Sequence, residues 1–100
     1  MKKKIDSINK EKIGAFCQKH HIASLALFGS ILTPHFSPKS DVDILVKFEK
    51  KYIPSLFDMV DMEEELSTIV GRKIDLKTAE DLSRYFRDDV VAQAKILYGK

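Results

Sequence analysis

Two aspartates one residue apart, Asp41 and Asp43, stand at the start of the strongly apolar segment DVDILVKF. Side chains alternate between the two sides of a strand, so both carboxylates are predicted to project to one side while Val42 projects to the other. Two like charges this close raise each other's pKa or require a cation, and a hard divalent ion such as Mg²⁺ prefers oxygen ligands. The pair therefore predicts a metal site, whereas the simpler alternative is a polar strand start that makes turn hydrogen bonds.

A third aspartate, Asp75, lies in the middle of the alternating segment KIDLK, residues 73–77. We expect it to add a third ligand if its strand lies next to the strand that carries Asp43. The alternative is an exposed strand residue that pairs with a lysine of the same strand, Lys73 or Lys77. The sequence leaves both possibilities open.

A glycine and a serine, Gly29 and Ser30, directly follow another apolar segment. A glycine lets the backbone approach an anionic group closely, and a serine hydroxyl can donate a hydrogen bond. Such a pair suits the binding of phosphate. It carries little weight alone, but ten residues separate it from the two aspartates at 41 and 43.

The elements that must position these residues follow from the spacing of apolar residues. The predicted elements are a helix over 7–20 capped by Ser7, strands over 24–28, 42–48 and 73–77, a helix over 54–70 ended by Gly71, a turn over 78–82, and a helix over 87–98. The residues predicted to form the apolar stripe of the second helix are Leu56, Met59, Val60, Met62, Leu66, Ile69 and Val70. The order predicts an α/β (α+β) fold, a small mixed three-stranded sheet flanked by helices.

Length and composition predict one domain over residues 1–100, with residues 1–6 as a flexible tip. The chain of 100 residues has 17 basic and 15 acidic residues, a net charge of +2, so no strong field attracts nucleic acid or an anionic membrane. The single cysteine, Cys17, cannot form an internal disulfide and is predicted to be a buried apolar group in a cytoplasmic protein. No apolar run approaches the roughly 20 residues of a membrane-spanning helix.

Two surface features leave the nature of a protein partner open. The stretch DMVDMEEE, residues 58–65, carries five acidic residues, which favours a solvated helix face or a surface that meets a basic partner. Tyr85 and Phe86 are interpreted either as cover for the core or as an exposed interaction patch.

The whole pattern resembles a known family. The segment GSILTPHFSPKSDVDILVKF is similar to the GSx10DxD signature of the DNA polymerase beta-type nucleotidyltransferase superfamily. The segments GRKIDLKT and RYFRDDVVAQAKILYGK resemble the third-carboxylate strand and the closing helix of the minimal nucleotidyltransferases. Those short members are often encoded beside a partner with a HEPN domain.

The resemblance implies an antitoxin enzyme that moves a nucleoside monophosphate, AMP from ATP, to a hydroxyl of a HEPN ribonuclease toxin. The implied acceptor is a tyrosine, and the modification neutralises the toxin in a hetero-oligomeric complex. By the same resemblance, Asp41, Asp43 and Asp75 hold two Mg²⁺ ions, and Gly29 and Ser30 hold the outgoing phosphates. Neither nucleic acid nor a membrane is an implied partner.

One segment departs from the family pattern. Many members carry an arginine just after the Gly-Ser pair, whereas residues 31–34 here are ILTP, without a cation. Lys39 or a residue of the partner is the expected substitute. Two other functions stay open: a binding module with a vestigial site that masks the toxin, and transfer to a small molecule, as in aminoglycoside nucleotidyltransferases.

Overall fold

The computed structural model describes residues 9–29 and 41–99, so the predicted tip and the cap at Ser7 lie outside the described residues. The elements in chain order are helix α1 (Lys10–Lys19), strand β1 (Ile22–Phe28), strand β2 (Val42–Phe48), helix α2 (Leu56–Val70), strand β3 (Ile74–Lys77), a 3₁₀ helix (Ala79–Asp81), helix α3 (Arg87–Gln93) and strand β4 (Lys95–Tyr98).

Side-chain and glycine caps define the two long helices. The Asn9 side chain accepts hydrogen bonds from the backbone N–H groups of Glu11 and Lys12 at 3.0 and 3.1 Å, which satisfies donors that a helix start leaves free. Ser55 and Asp58 form a reciprocal capping box at the start of α2. Gly71 ends α2 in the left-handed conformation, as the sequence predicts.

The sheet has the order β3-β2-β1-β4, with β2 and β3 parallel and the other two pairs antiparallel. The predicted mixed sheet flanked by helices is confirmed, but four strands are present in the described part of the chain rather than three. The predicted helix over 87–98 is wrong in its second half, because α3 ends at Gln93 and residues Lys95–Tyr98 form β4. Ala94 is extended, and the segment that follows pairs with β1 along an edge that would otherwise stay open.

Helices α1 and α2 cover one face of the sheet, and the core lies between them and that face. The residues of this core are Ile13, Phe16, Cys17, Ile22, Leu25, Leu27, Val42, Ile44, Val46, Met62, Leu66, Ile74 and Leu76. Burial raises the pKa of the Cys17 thiol to about 12, so Cys17 is a buried apolar group, as predicted. No helix within residues 9–29 and 41–99 is long and apolar enough to cross a bilayer.

The opposite side of β2 and β3 carries Asp43, Leu45, Asp75 and Lys77, and we name it the carboxylate face. It follows from strand alternation, since the residues between these four point into the core. One side of the strand pair is therefore wholly apolar, whereas the other carries the charged side chains of Asp43, Asp75 and Lys77.

The prediction for α2 is wrong at two positions. Leu56 and Val60 were expected in the buried stripe, but both are exposed. Met62 and Leu66 fix the inward direction of the helix, and at 3.6 residues per turn Leu56 and Val60 then point away from the sheet.

Candidate active site

Asp43 and Asp75 lie directly opposite each other on neighbouring parallel strands. The register pairs Val42 with Ile74 and Asp43 with Asp75. The backbone N–H of Val42 donates to the carbonyl of Lys73 at 2.8 Å and fixes this register at the start of both strands. Neighbouring strands lie roughly 4.8 Å apart, so the two half-buried carboxylates share one small volume on the carboxylate face. Asp75 is expected to add a third ligand if its strand lies next to the strand of Asp43, and the two strands are neighbours.

Gly29 places the end of β1 against the Asp43 carboxylate. Phe28 pairs with Asp43 in the antiparallel register, and Gly29 follows with φ of +77°, a conformation that favours glycine. A Cβ atom at Gly29 would lie 3.0 Å from Cγ of Asp43 and closer still to its Oδ2. Only a glycine therefore fits against this carboxylate. Ser30 lies outside the described residues.

Asp41 takes a different position from the other two aspartates. It is exposed and lies one residue before β2 begins. Within residues 9–29 and 41–99, no three or more histidine, cysteine, aspartate or glutamate side chains gather closely enough to hold a metal ion. The structure thus brings Asp43 and Asp75 together, and it does not bring Asp41 into a ready-made group of three.

Lys77, predicted only as an alternative ion-pair partner of Asp75, lies beside the carboxylate pair on the same face. Its ammonium lies 3.2 Å from Oδ1 of Asp75, with both side chains partly exposed. The hydrogen bond to Asp75 raises the pKa of Lys77, burial opposes the increase, and the charges of Asp75, Asp43 and Asp81 add to it. Lys77 therefore stays cationic and partly neutralises the carboxylate pair. The alternation Asp75-Leu76-Lys77 places both polar residues on one face and could have revealed it.

The donor set suits a hard divalent ion. Carboxylate oxygens are the ligands that Mg²⁺ prefers, and two adjacent carboxylates create a demand for positive charge that one ammonium at Asp75 meets only in part. Asp75 also forms the ion pair predicted as its alternative role, with Lys77 of its own strand. Both features coexist, because the pairing leaves Asp75 opposite Asp43.

Comparison with known proteins identifies the family. The family profile described as "Polymerase beta, Nucleotidyltransferase" matches residues 11–100. The chain belongs to this family. The resemblance drawn from the Gly-Ser and Asp-x-Asp pattern is thereby confirmed, whereas one domain over all of residues 1–100 stays a prediction.

Two relatives come from Methanocaldococcus jannaschii, and each is named as a predicted protein adenylyltransferase. One is 31% identical over 85 residues, which cover 85% of this chain and 89% of the relative. The other is 36% identical over 64 residues, which cover 64% of each protein. The chain thus matches a little under two thirds of the length of the second relative.

Solved structures of toxin–antitoxin complexes share the fold. A toxin–antitoxin structure with AMP-PNP contains a chain with a TM-score of 0.72 and 23% identity, covering 93% of this chain and 75% of that one. A complex of a tri-AMPylated HEPN toxin with an MNT antitoxin from Shewanella oneidensis gives a TM-score of 0.65 at 21% identity, covering 97% of this chain and 73% of that one. These TM-scores establish a common fold.

Proposed function

We propose that this protein is an antitoxin that transfers AMP from ATP to a tyrosine hydroxyl of a cognate HEPN toxin and thereby neutralises it. The observation that carries the proposal is the direct opposition of Asp43 and Asp75, with Gly29 packed against Asp43, in a chain of the nucleotidyltransferase family. The names of the relatives as protein adenylyltransferases support the reaction, and the AMPylated HEPN toxin in a structural neighbour supports the acceptor.

The transfer forms one bond to phosphorus, breaks another and moves the hydroxyl proton of the acceptor. The acceptor oxygen bonds to the α-phosphorus of ATP, the bond to the bridging α–β oxygen breaks, and pyrophosphate leaves. The Asp75 carboxylate is placed to take up the hydroxyl proton that the acceptor loses. Asp43 lies between Asp75 and the glycine turn, so it is placed to orient the α-phosphate relative to both.

Asp41, Asp43 and Asp75 would hold Mg²⁺, which supplies positive charge for the phosphate oxygens in the transition state. Asp43 and Asp75 are already adjacent, and Asp41 lies two residues before Asp43, just ahead of the strand. Lys77 holds the Asp75 carboxylate before nucleotide arrives and limits the repulsion within the pair. This role gives the site a cation of its own, whereas Lys39, the substitute expected from the sequence, lies outside the described residues.

Gly29 is proposed to admit the triphosphate. Its positive φ and its missing side chain leave room for a phosphate oxygen to approach the backbone at Gly29. The Ser30 hydroxyl would donate to the same group. Because the reaction consumes ATP, we place the protein in the cytoplasm. We also propose that it forms a hetero-oligomer with its toxin.

The test is label transfer to the toxin. We would incubate wild-type protein or Asp43→Asn with Mg²⁺, ATP labelled at the α-phosphate and the cognate HEPN toxin. Wild type is expected to label the toxin, and Asp43→Asn is expected to be slower by on the order of 10²-fold or more, since it removes charge stabilisation in the transition state. Equal labelling by both proteins would rule out the assigned role of Asp43.

Two observations favour a second function, neutralisation by complex formation alone. Asp75 is engaged by Lys77, and the three aspartates do not form a ready-made metal group within the described part of the chain. In that case Asp43→Asn protects against the toxin as well as wild type does, and neither protein labels it.

A further inference from the structure

Strand β3, which carries Asp75, is four residues long and forms one edge of the sheet. Within the described residues it pairs with β2 alone. The odd-numbered residues of this segment direct their backbone polar groups toward β2, because the Lys73 carbonyl accepts from the N–H of Val42. Ile74 and Leu76 therefore direct theirs outward. An edge of this kind ordinarily binds water or another strand, and a short edge strand opens easily.

Two side chains of α2 bind the outward N–H groups of this edge. The N–H of Ile74 donates to Oγ of Ser67 at 3.1 Å, and the N–H of Leu76 donates to Oε2 of Glu63 at 2.8 Å. Both acceptor residues are half-buried. Glu63 belongs to the acidic stretch 58–65, and its carboxylate binds the backbone of this chain, a stronger bond than a neutral acceptor makes. We name Glu63 and Ser67 the edge clamp.

The spacing of the edge clamp matches that of the strand. Four residues of a helix rise about 6 Å, and two residues of a strand span about 6.6 Å. The helix runs antiparallel to the strand, since the later clamp residue binds the earlier N–H group. Helix and strand are therefore in register over both bonds, and α2 supplies the acceptors that a neighbouring strand would otherwise provide.

The two bonds lie on either side of Asp75 along the chain. The bound N–H of Ile74 belongs to the preceding residue, and the bound N–H of Leu76 shares a peptide group with the Asp75 carbonyl. On the inner side, the pairing with β2 sets Asp75 opposite Asp43. The backbone at Asp75 is thus held from both edges, while its carboxylate is half-exposed on the carboxylate face and paired with Lys77.

We propose that Glu63 and Ser67 are positioning residues for Asp75. By holding the outer edge of β3 they keep the Asp75 carboxylate opposite Asp43, where the pair binds a divalent ion. This proposal rests on the proposed function in that Asp75 is taken as a ligand of the ion. The simpler alternative is that the edge clamp only prevents β3 from pairing with another chain. The two differ in whether the effect of the clamp on ion binding depends on Asp75.

The experiment pairs a substitution that removes each acceptor with one that keeps it. Glu63→Met removes the carboxylate, whereas Glu63→Gln keeps an oxygen acceptor of the same reach. Ser67→Ala and Ser67→Thr form a second pair of the same design. Glu64→Met is the control for charge, since Glu64 is exposed beside Glu63 on the same helix. Thr68→Ala is the control for a lost hydroxyl, because the Thr68 hydroxyl donates within α2, to the Glu64 carbonyl at 3.2 Å.

Three measurements are made on each variant: urea unfolding, amide exchange of Leu76 by nuclear magnetic resonance, and Mn²⁺ affinity in the presence of a non-hydrolysable ATP analogue. Glu63→Met is expected to speed exchange at Leu76 and to weaken Mn²⁺ binding about tenfold, the usual effect of losing a group that orients a metal ligand. Ser67→Ala is expected to have a smaller effect, because its acceptor is neutral. Glu63→Gln and Ser67→Thr are expected to retain most of the affinity, and both controls to stay within about twofold of wild type.

The decisive comparison repeats Glu63→Met in an Asp75→Asn background. A positioning residue acts through Asp75, so Glu63→Met is expected to change Mn²⁺ affinity less than about twofold there. An equal loss of affinity in both backgrounds overturns the proposal, and so does wild-type affinity in Glu63→Met. Wild-type affinity in Asp75→Asn also overturns it, since no ligand is then positioned. If Glu63→Met does not fold, Ser67→Ala takes its place in the same comparison.

The positioning role and the transfer reaction fail separately. If Glu63→Met weakens Mn²⁺ binding through Asp75 but wild type never labels the toxin, the positioning role stands and the transfer reaction falls. If wild type labels the toxin and Glu63→Met matches it in both kcat and Mn²⁺ affinity, the transfer reaction stands and the positioning role falls.

Discussion

Successive residues of β2 and β3 lie on opposite faces of the sheet, and the two faces have different roles. Ile44 and Leu76 point into the core and are almost fully buried, whereas Asp43 and Asp75 point to the carboxylate face and stay half-exposed. Burial of the first pair stabilises the register that places the second pair side by side. The core face therefore stabilises the register, and the opposite face carries the charged side chains of the candidate site.

Truncation on the core face is expected to have the largest effect on stability. Ile44 is 0% exposed, so Ile44→Ala is expected to lower the free energy of unfolding by about 2–5 kcal/mol, through lost transfer energy and a cavity. Urea unfolding measures the change. Leu45→Ala is the control on the other face of the same strand, where Leu45 is only partly buried. An equal loss from both substitutions would contradict the division between the faces.

Gly29→Ala sharpens the comparison, because it is expected to affect the site more than the fold. The substitution strains a residue at φ of +77° and forces the Asp43 carboxylate to move, so label transfer is expected to fall at least tenfold. Gly71→Ala is the matched control, since Gly71 has φ of +80° and nothing within 4 Å of an added Cβ. Both variants are expected to lose about 1 kcal/mol of stability in urea unfolding. If Gly71→Ala impaired transfer as strongly, the contact with Asp43 would not be the cause.

Lys77→Met is expected to have a smaller effect, a few-fold change in affinity for a divalent ion. The ammonium competes for Asp75, so its removal is expected to tighten Mn²⁺ binding, whereas Lys73→Met, one residue before β3 and outside the ion pair, is expected to change it less. Titration followed by the electron paramagnetic resonance of free Mn²⁺ distinguishes the two variants. Equal changes in Mn²⁺ affinity in both variants would show that Lys77 acts through its charge in general and not through its ion pair with Asp75.

The pH dependence of the Lys77 pair follows from the direction of its pKa shift. The folded protein raises the pKa of Lys77, so the stabilising contribution is fully present below its unfolded value of about 10.4 and is lost as the pH rises through the folded value. The stability difference between wild type and Lys77→Met is therefore expected to be constant between pH 6 and 9 and to shrink above that range.

Several parts of the fold and the site could be predicted from local sequence alone. Strand β2 was predicted with its observed bounds, because its run of β-branched and apolar residues has no competing period. Gly71 ends α2 as predicted, because glycine adopts the left-handed cap at little cost.

The errors arose where tertiary contacts decide. Lys95–Tyr98 forms a strand because the edge of β1 is available for pairing. The spacing of apolar residues within this segment does not indicate that edge. The exposure of Leu56 depends on which side of α2 the sheet occupies, and the role of Lys77 depends on the register of β2 and β3. Local patterns predict elements, whereas pairing and orientation require the assembled chain.

The central claim is that Asp43 and Asp75 hold the same cation. The most direct measurement is Mn²⁺ affinity in the presence of a non-hydrolysable ATP analogue, for wild type, Asp43→Asn, Asp75→Asn and the double variant. The account predicts that each single substitution weakens binding about tenfold or more, and that the double variant is little weaker than either, because contacting residues with a shared ligand are not additive. Wild-type affinity in both single variants, or fully additive losses in the double variant, would contradict the claim.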